Sequence, residues 1–181
     1  MTKGERQKVK GTNSTSVRLY SAFLFFLLPF AFCLREASAQ PETPDTVPPP
    51  AKVLSKDIKD KLLGELDEKK RVEYALTLMD SFLDASETGI TNEVWEASFR
   101  ELGSFHFVMD NTLDFLIRRD TGSGKIRNAF KKYEIGLRAF APRLELIRRD
   151  LPSRFEPYVF RLIKNVRETR TKAIEPLFGS N

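Results

Sequence analysis

The sequence has few of the side chains that usually carry metal or enzymatic chemistry. Its 181 residues include one cysteine, Cys33, and one histidine, His106. A structural zinc site needs four ligands, mostly Cys or His, and the dinuclear sites of helical bundles need two Glu-x-x-His pairs, whereas position 103 is glycine. A Gly-x-Ser-x-Gly nucleophile elbow is also missing from the sequence. We therefore predict no catalytic residues, no metal and no cofactor, and we expect that the protein is not an enzyme.

The sequence also lacks an apolar run of the about 20 residues that a membrane-spanning helix requires. Its longest uncharged apolar run covers the 13 residues 22–34, AFLFFLLPFAFCL. Basic residues precede this run, and Ala37 and Ala39 follow it in the small-x-small pattern that signal peptidase accepts. We therefore predict a signal peptide over residues 1–39, cleaved after Ala39, and an exported protein that is periplasmic or secreted. The alternative is an N-terminally membrane-anchored protein that retains the segment.

Cleavage at that position would remove the only cysteine and most of the excess positive charge. Residues 1–39 hold six Lys/Arg and two Asp/Glu, out of 30 and 25 in the whole chain. The remaining chain would be nearly neutral and without disulfides, so its stability must come from helix packing. Because the high isoelectric point is largely due to the removed segment, it does not indicate nucleic acid, and we predict no nucleic-acid partner.

Proline is concentrated directly after the predicted cleavage site. Five of the ten prolines lie within residues 40–53. Such a density prevents helix formation and favours extended, solvated backbone. We predict a disordered proline-rich linker over 40–53; a ligand for a proline-recognising domain is the alternative.

Strand patterns are missing from the rest of the chain, and apolar residues recur instead at spacings of three and four. This pattern predicts an all-α domain over 54–178, an antiparallel bundle of about four or five helices. The pattern in the first part of this domain predicts either one long helix or two helices that meet near Gly64. This helical region is expected to end at a left-handed cap at Gly89. The next helix is predicted over 95–120, with Thr91 as its N-cap.

The last two helices carry two further local predictions. Pro142 lies within the apolar pattern of the third helix, so we expect a kink or a break at residues 138–141. Ser153 and Glu156 have the spacing of a capping box at the start of the fourth helix. The expected core is rich in phenylalanine: Phe82, Phe99, Phe105, Phe115, Phe130, Phe140, Phe155 and Phe160.

His106 is the one side chain that titrates near neutral pH, and its neighbours in sequence are apolar. We consider His106, Trp95 and Met109 as candidate ligand-binding residues. The alternative is a structural or partner-facing histidine without a ligand.

The charges are unevenly distributed along the chain. Residues 40–123 contain 10 Lys/Arg and 17 Asp/Glu, whereas 124–181 contain 14 and 6. One interpretation is internal complementarity, in which the acidic helix that follows Thr91 faces the two basic helices after it. The other is a basic surface for anionic lipid or an acidic partner. Its residues would be Lys131, Lys132, Arg161, Lys164, Arg167 and Arg170.

From these features we expect a non-enzymatic, extracytoplasmic helical protein that binds or scaffolds a protein partner in the cell envelope. Peripheral association with an anionic membrane surface through the basic C-terminal half is the first alternative. A bundle that binds a small ligand or a metal around His106 is the second. No oligomeric state is predicted.

Overall fold

The computed structural model describes residues 46–178, and the regular structure of this part is entirely helical. The predicted all-α fold is confirmed. The predicted signal peptide with Ala37 and Ala39, and residues 40–45 of the predicted linker, lie outside the described residues. The five α-helices are α1 (Lys56–Gly64), α2 (Glu68–Thr91), α3 (Trp95–Arg118), α4 (Gly124–Asp150) and α5 (Glu156–Ile174). Short 3-10 helices cover Ser153–Phe155 and Glu175–Leu177.

Helices α2 to α5 form a bundle in which α2 packs on both α3 and α4, and α5 packs on α4 and less extensively on α3. Helices that follow each other in the chain run antiparallel. The neighbours α2 and α4 run parallel, as do α3 and α5, because their paired residues increase together in number. The predicted antiparallel order therefore holds between consecutive helices.

The core contains most of the predicted phenylalanines, and α3 supplies its centre. Leu102, Phe105 and Met109 of α3 are fully buried. Phe82 is only partly buried, and Phe160 is 62% exposed, so the prediction was wrong for Phe160. The buried members of the predicted set are Phe99, Phe105, Phe115, Phe130, Phe140 and Phe155.

Helix α1 ends at Gly64 and α2 begins at Glu68, so two helices meet near Gly64, as one of the two alternatives predicted. The buried Arg71 side chain stabilises the turn between these two helices. Its Nη1 donates to the carbonyls of Leu63 (3.3 Å) and Glu65 (3.2 Å), and its Nη2 donates to Asn111 Oδ1 at 2.6 Å. The guanidinium also lies 4.2 Å from the centre of the Phe115 ring. One charged side chain thus joins the turn to α3.

The boundary between α2 and α3 differs from the prediction. Helix α2 extends through Gly89 to Thr91, so Gly89 is no left-handed cap and Thr91 does not cap α3. The left-handed residue is Glu93, with φ 58°. Val94 N donates to Gly89 O at 2.8 Å and Glu93 N to Ile90 O at 3.0 Å, the two bonds of a Schellman motif. Backbone bonds, instead of a capping side chain, set this boundary.

The break predicted at Pro142 as an alternative to a kink, and the capping box predicted at Ser153, do not form. Helix α4 continues through Pro142 to Asp150 without a break. Pro142 lies on the exposed side of the helix, where water can bond the carbonyl that the proline leaves without a donor. Ser153 begins a 3-10 turn and its side chain makes no capping bond, while Glu156 pairs with Arg148 of α4. The capping box is therefore not formed.

Candidate functional site

The acidic and basic halves of the chain meet between α2 and α4. Lys132 Nζ lies 2.5 Å from Glu73 Oε1. Arg143 contacts Asp80 and Asp84 at 2.6 Å, and Glu87 at 2.8 Å. Internal complementarity is therefore present. The acidic partner of α4 is α2, and not α3, the helix that the sequence predicts for this role.

In the described part of the chain, α3 contributes one ion pair to the basic half, between Glu96 and Arg154 at 2.7 Å. The reason is the packing order: α3 lies diagonally from α4 and has few contacts with it. The acidic outer face of α3 is therefore not directed at α4.

Six of the cations that do not face α2 lie in two exposed stripes, one on α4 and one on α5. On α4, seven exposed residues recur at spacings of three and four, and none of them is acidic. On α5, four exposed residues follow the same spacing. We call these two stripes the basic α4–α5 face. Its members are Arg127, Lys131, Ile135, Arg138, Pro142, Leu146 and Arg149 on α4, and Phe160, Lys164, Arg167 and Thr171 on α5.

Ion pairs along the seam between α4 and α5 hold the two stripes side by side. The buried carboxylate of Glu134 accepts from Arg170 at 2.8 Å and from Arg138 at 3.0 Å. Burial by itself raises the pKa of Glu134, but hydrogen bonds from these two guanidinium groups outweigh it and keep the pKa below its usual value. Arg167 pairs with Glu145 at 3.3 Å.

The structure separates the six residues of the predicted basic surface. Lys131, Lys164 and Arg167 lie on the basic α4–α5 face. Lys132 pairs with α2, and Arg170 is partly buried on Glu134. Arg161 lines a cavity beside His106. Helical spacing could have separated Lys131 from Lys132, because adjacent residues lie on different sides of a helix, but it does not show which side α2 occupies.

His106 is buried, with 7% of its surface exposed, and both ring nitrogens are hydrogen-bonded. Nε2 lies 3.1 Å from Lys52 Nζ and 3.2 Å from Asn165 Nδ2. Because an ammonium group can only donate, Nε2 must accept, which places the ring proton on Nδ1. Nδ1 then donates to the Tyr158 hydroxyl at 3.1 Å, which in turn donates to the Leu102 carbonyl at 3.4 Å.

This network keeps the imidazole neutral. Burial lowers the pKa of His106; the nearby Asp110 carboxylate raises it, and the Lys52 ammonium lowers it further. The Nε2 lone pair that a metal would use already accepts from a cation. His106 is therefore poorly suited to hold a metal.

The other two candidate ligand-binding residues do not join His106 in one site. Met109 is fully buried in the core. Trp95 is half-buried at the first residue of α3, about three turns from His106. The groups that surround His106 are Lys52, Asp110, Tyr158 and Asn165. All but Asp110 are more than 50 positions away in sequence, which is why helical spacing did not find them.

Residues 46–53, which we call the N-terminal segment, contact the bundle. Val47 N donates to Arg154 O at 3.1 Å, and Ser104 Oγ donates to Val53 O at 2.9 Å. Gly103 lies so close that a Cβ there would be 2.5 Å from Ala51 O. Residues 46–53 of the predicted linker are thus without helix and mostly exposed, but they also contact the bundle, because glycine on α3 allows the extended chain to pack directly on the helix backbone.

A cavity of about 390 Å³ lies between the N-terminal segment, α3 and α5. Its walls include Pro49 and Pro50 of the segment. Its polar lining comes from Lys52, His106, Tyr158, Arg161, Lys164 and Asn165, with Glu168 as the one carboxylate. Hydrogen-bond donors therefore dominate the cavity.

We predict that His106 titrates below pH 6.5 in NMR spectra and that its neutral form carries the proton on Nδ1. On acidification the His106 ring of the unfolded chain takes up its second proton near pH 6.5, and that of the folded chain does so only at a lower pH. Acidification below pH 6.5 should therefore destabilise the fold until the folded pKa is passed. His106→Gln should remove this part of the pH dependence. An imidazole that titrates above 6.5 would contradict the network.

Comparison of the chain with models of known protein families, with curated protein sequences and with solved structures finds no match. None of the helices within residues 46–178 combines the length and apolar character needed to cross a membrane.

Proposed function

We propose that the protein is a non-enzymatic, extracytoplasmic helical binding module that docks on anionic membrane surfaces through the basic α4–α5 face. The observation that carries the proposal is the mixture of exposed cations and exposed large apolar side chains along this face. Ile135 is 52% exposed, Leu146 is 56% and Phe160 is 62%. Single exposed apolar residues are ordinary, but three within one basic surface suit a lipid interface.

The shape of the face favours a membrane over a protein partner. The stripe from Arg127 to Arg149 is about 33 Å long at the rise of an α-helix, and the α5 stripe runs beside it. The two stripes lie side by side and offer a broad contact surface to lipid headgroups. Their apolar side chains can enter the boundary between headgroups and acyl chains. Cations near an anionic leaflet each contribute about 1 kcal/mol at most, so several are needed for stable docking.

The signal peptide predicted from the sequence supports the same location. Export by a signal peptide over residues 1–39, or anchoring by the same segment, would bring the bundle to a membrane surface. In the anchored form, tethering would raise the effective concentration of the face near lipid.

The test is binding to vesicles with and without anionic lipid. Replacing Arg127, Lys131 and Arg149 together with glutamine should weaken binding of the full chain to anionic vesicles about tenfold at physiological ionic strength, since screening reduces each contribution. Binding to neutral vesicles should not change. Co-sedimentation at increasing salt measures both.

A matched control removes the same charge elsewhere. Lys56, Lys59 and Lys69 are exposed on α1 and α2, away from the face, and their replacement by glutamine should leave anionic-vesicle binding nearly unchanged. Equal losses in both triple variants would indicate a mere effect of net charge and contradict the proposal. Loss of a specific protein partner, with vesicle binding intact, would assign the face to a protein instead.

A further inference from the structure

Apart from Lys164, the residues that line the cavity beside His106 are not part of the basic α4–α5 face. Its lining cations are Lys52, Arg161 and Lys164, and its lining carboxylate is Glu168. Glu168 lies 3.7 Å from Lys164, and the outlying Asp110 lies 2.6 Å from Lys52. Arg161 makes no ion pair with another described residue. The Arg161 guanidinium at the cavity therefore has no carboxylate partner among residues 46–178.

Apart from the Asn165 side-chain oxygen, the polar groups that surround His106 in the cavity are donors or already accept a hydrogen bond or an ion pair. Asn165 Nδ2 gives one hydrogen to His106 and keeps a second one. Lys52 Nζ gives hydrogens to His106 and Asp110 and keeps a third. The acceptor nitrogen of His106 is occupied by these two donors. An incoming ligand therefore meets free donors and finds few free acceptors.

This arrangement selects for the charge and shape of the ligand. A cation would face three cationic side chains and an occupied imidazole nitrogen. A carboxylate offers two oxygens, whereas a phosphate offers three or four at tetrahedral angles, which suits donors that come from the N-terminal segment and from α5. A guanidinium can hold two of these oxygens at once. The volume of about 390 Å³ equals about a dozen water molecules, ample for a phosphate group.

We infer that this cavity binds a phosphate group, held by Arg161, Lys52 and Asn165. The group is either free phosphate or the headgroup phosphate of a lipid, since both present the same oxygens. The site uses the N-terminal segment as one wall, so the cavity is complete only while that segment is docked. The inference goes beyond the membrane-docking proposal and is independent of it.

The experiment is calorimetric titration of the full chain with inorganic phosphate in phosphate-free buffer. We expect binding of one phosphate per chain. Arg161→Gln should weaken this binding at least tenfold while leaving the melting temperature unchanged, because Arg161 is exposed and makes no ion pair within residues 46–178. The matched control, Lys56→Gln, removes one exposed cation far from the cavity and should bind phosphate as the unchanged chain does.

A second arm separates the two sources of phosphate. It uses vesicles of neutral lipid with a fraction of phosphatidic acid. If free phosphate does not bind, but Arg161→Gln selectively reduces binding to these vesicles, the ligand is a lipid headgroup. Absence of phosphate binding up to about 10 mM, together with vesicle binding that Arg161→Gln and Lys56→Gln affect equally, would overturn the inference. The triple variant of the α4–α5 face would still test docking separately.

Discussion

Replacing Arg71 with alanine is expected to lower the free energy of unfolding by about 3 kcal/mol. The substitution leaves the Leu63 and Glu65 carbonyls and the Asn111 side chain without their donors and opens a cavity beside Phe115. Three partly buried acceptors without donors cost more than an average hydrogen bond contributes, because each keeps its desolvation penalty. Denaturant unfolding followed by circular dichroism measures the loss.

The control is Arg118→Ala, which removes an exposed arginine near the same end of α3. We expect a change within about 0.5 kcal/mol for this variant. Arg71→Lys should recover only part of the stability, since an ammonium group cannot reach acceptors on the turn and on α3 with a planar fork. Equal stability of Arg71→Ala and Arg118→Ala would contradict the role of Arg71.

Gly103→Ala is expected to release the N-terminal segment from the bundle. The new Cβ would lie 2.5 Å from the Ala51 carbonyl oxygen, well inside van der Waals contact. Helix α3 is fixed by the core, so the segment must move. It then loses the bonds from Ser104 to Val53 and from Lys52 to His106, about 2 kcal/mol together, which shifts the docking equilibrium about 30-fold.

Two measurements follow this release. Limited proteolysis should cut within residues 46–53 faster than in the unchanged chain. The pKa of His106 should rise towards 6.5, because water reaches the imidazole and the Lys52 ammonium leaves it. Gly64→Ala serves as the control, since a Cβ at that position meets nothing within 4 Å. An unchanged cleavage pattern and an unchanged His106 titration in Gly103→Ala would rule out close packing at Ala51.

Arg71 illustrates why the sequence predicted the helices better than their contacts. It stands in the charged run 67–71, which interrupts the apolar spacing, and a charged run usually faces water. The spacing therefore offered a break near Gly64 as one of two alternatives, and the structure has the break. It gave no sign that one guanidinium of the run is buried, because its acceptors are backbone carbonyls and a side chain 40 positions away.

Phe160 illustrates the reverse error. Its apolar character suggested the core, yet its position on the exposed stripe with Lys164 and Arg167 places it on the surface. The outward stripe of α5 was readable from helical spacing once Phe155, Val159 and Leu162 had defined the inner face. Composition alone did not reveal it.

The sequence by itself determined the helical class and the separation of acidic from basic residues, and it offered the break near Gly64 as one of two alternatives. These follow from local spacing and from composition, because a helix closes its hydrogen bonds within four residues. Only the tertiary structure decided that α2, and not α3, neutralises α4, that Gly103 seats the N-terminal segment, and that Lys52, Tyr158 and Asn165 surround His106. Helical spacing fixes which residues share a face, but the faces that meet are chosen by packing between positions far apart in the chain.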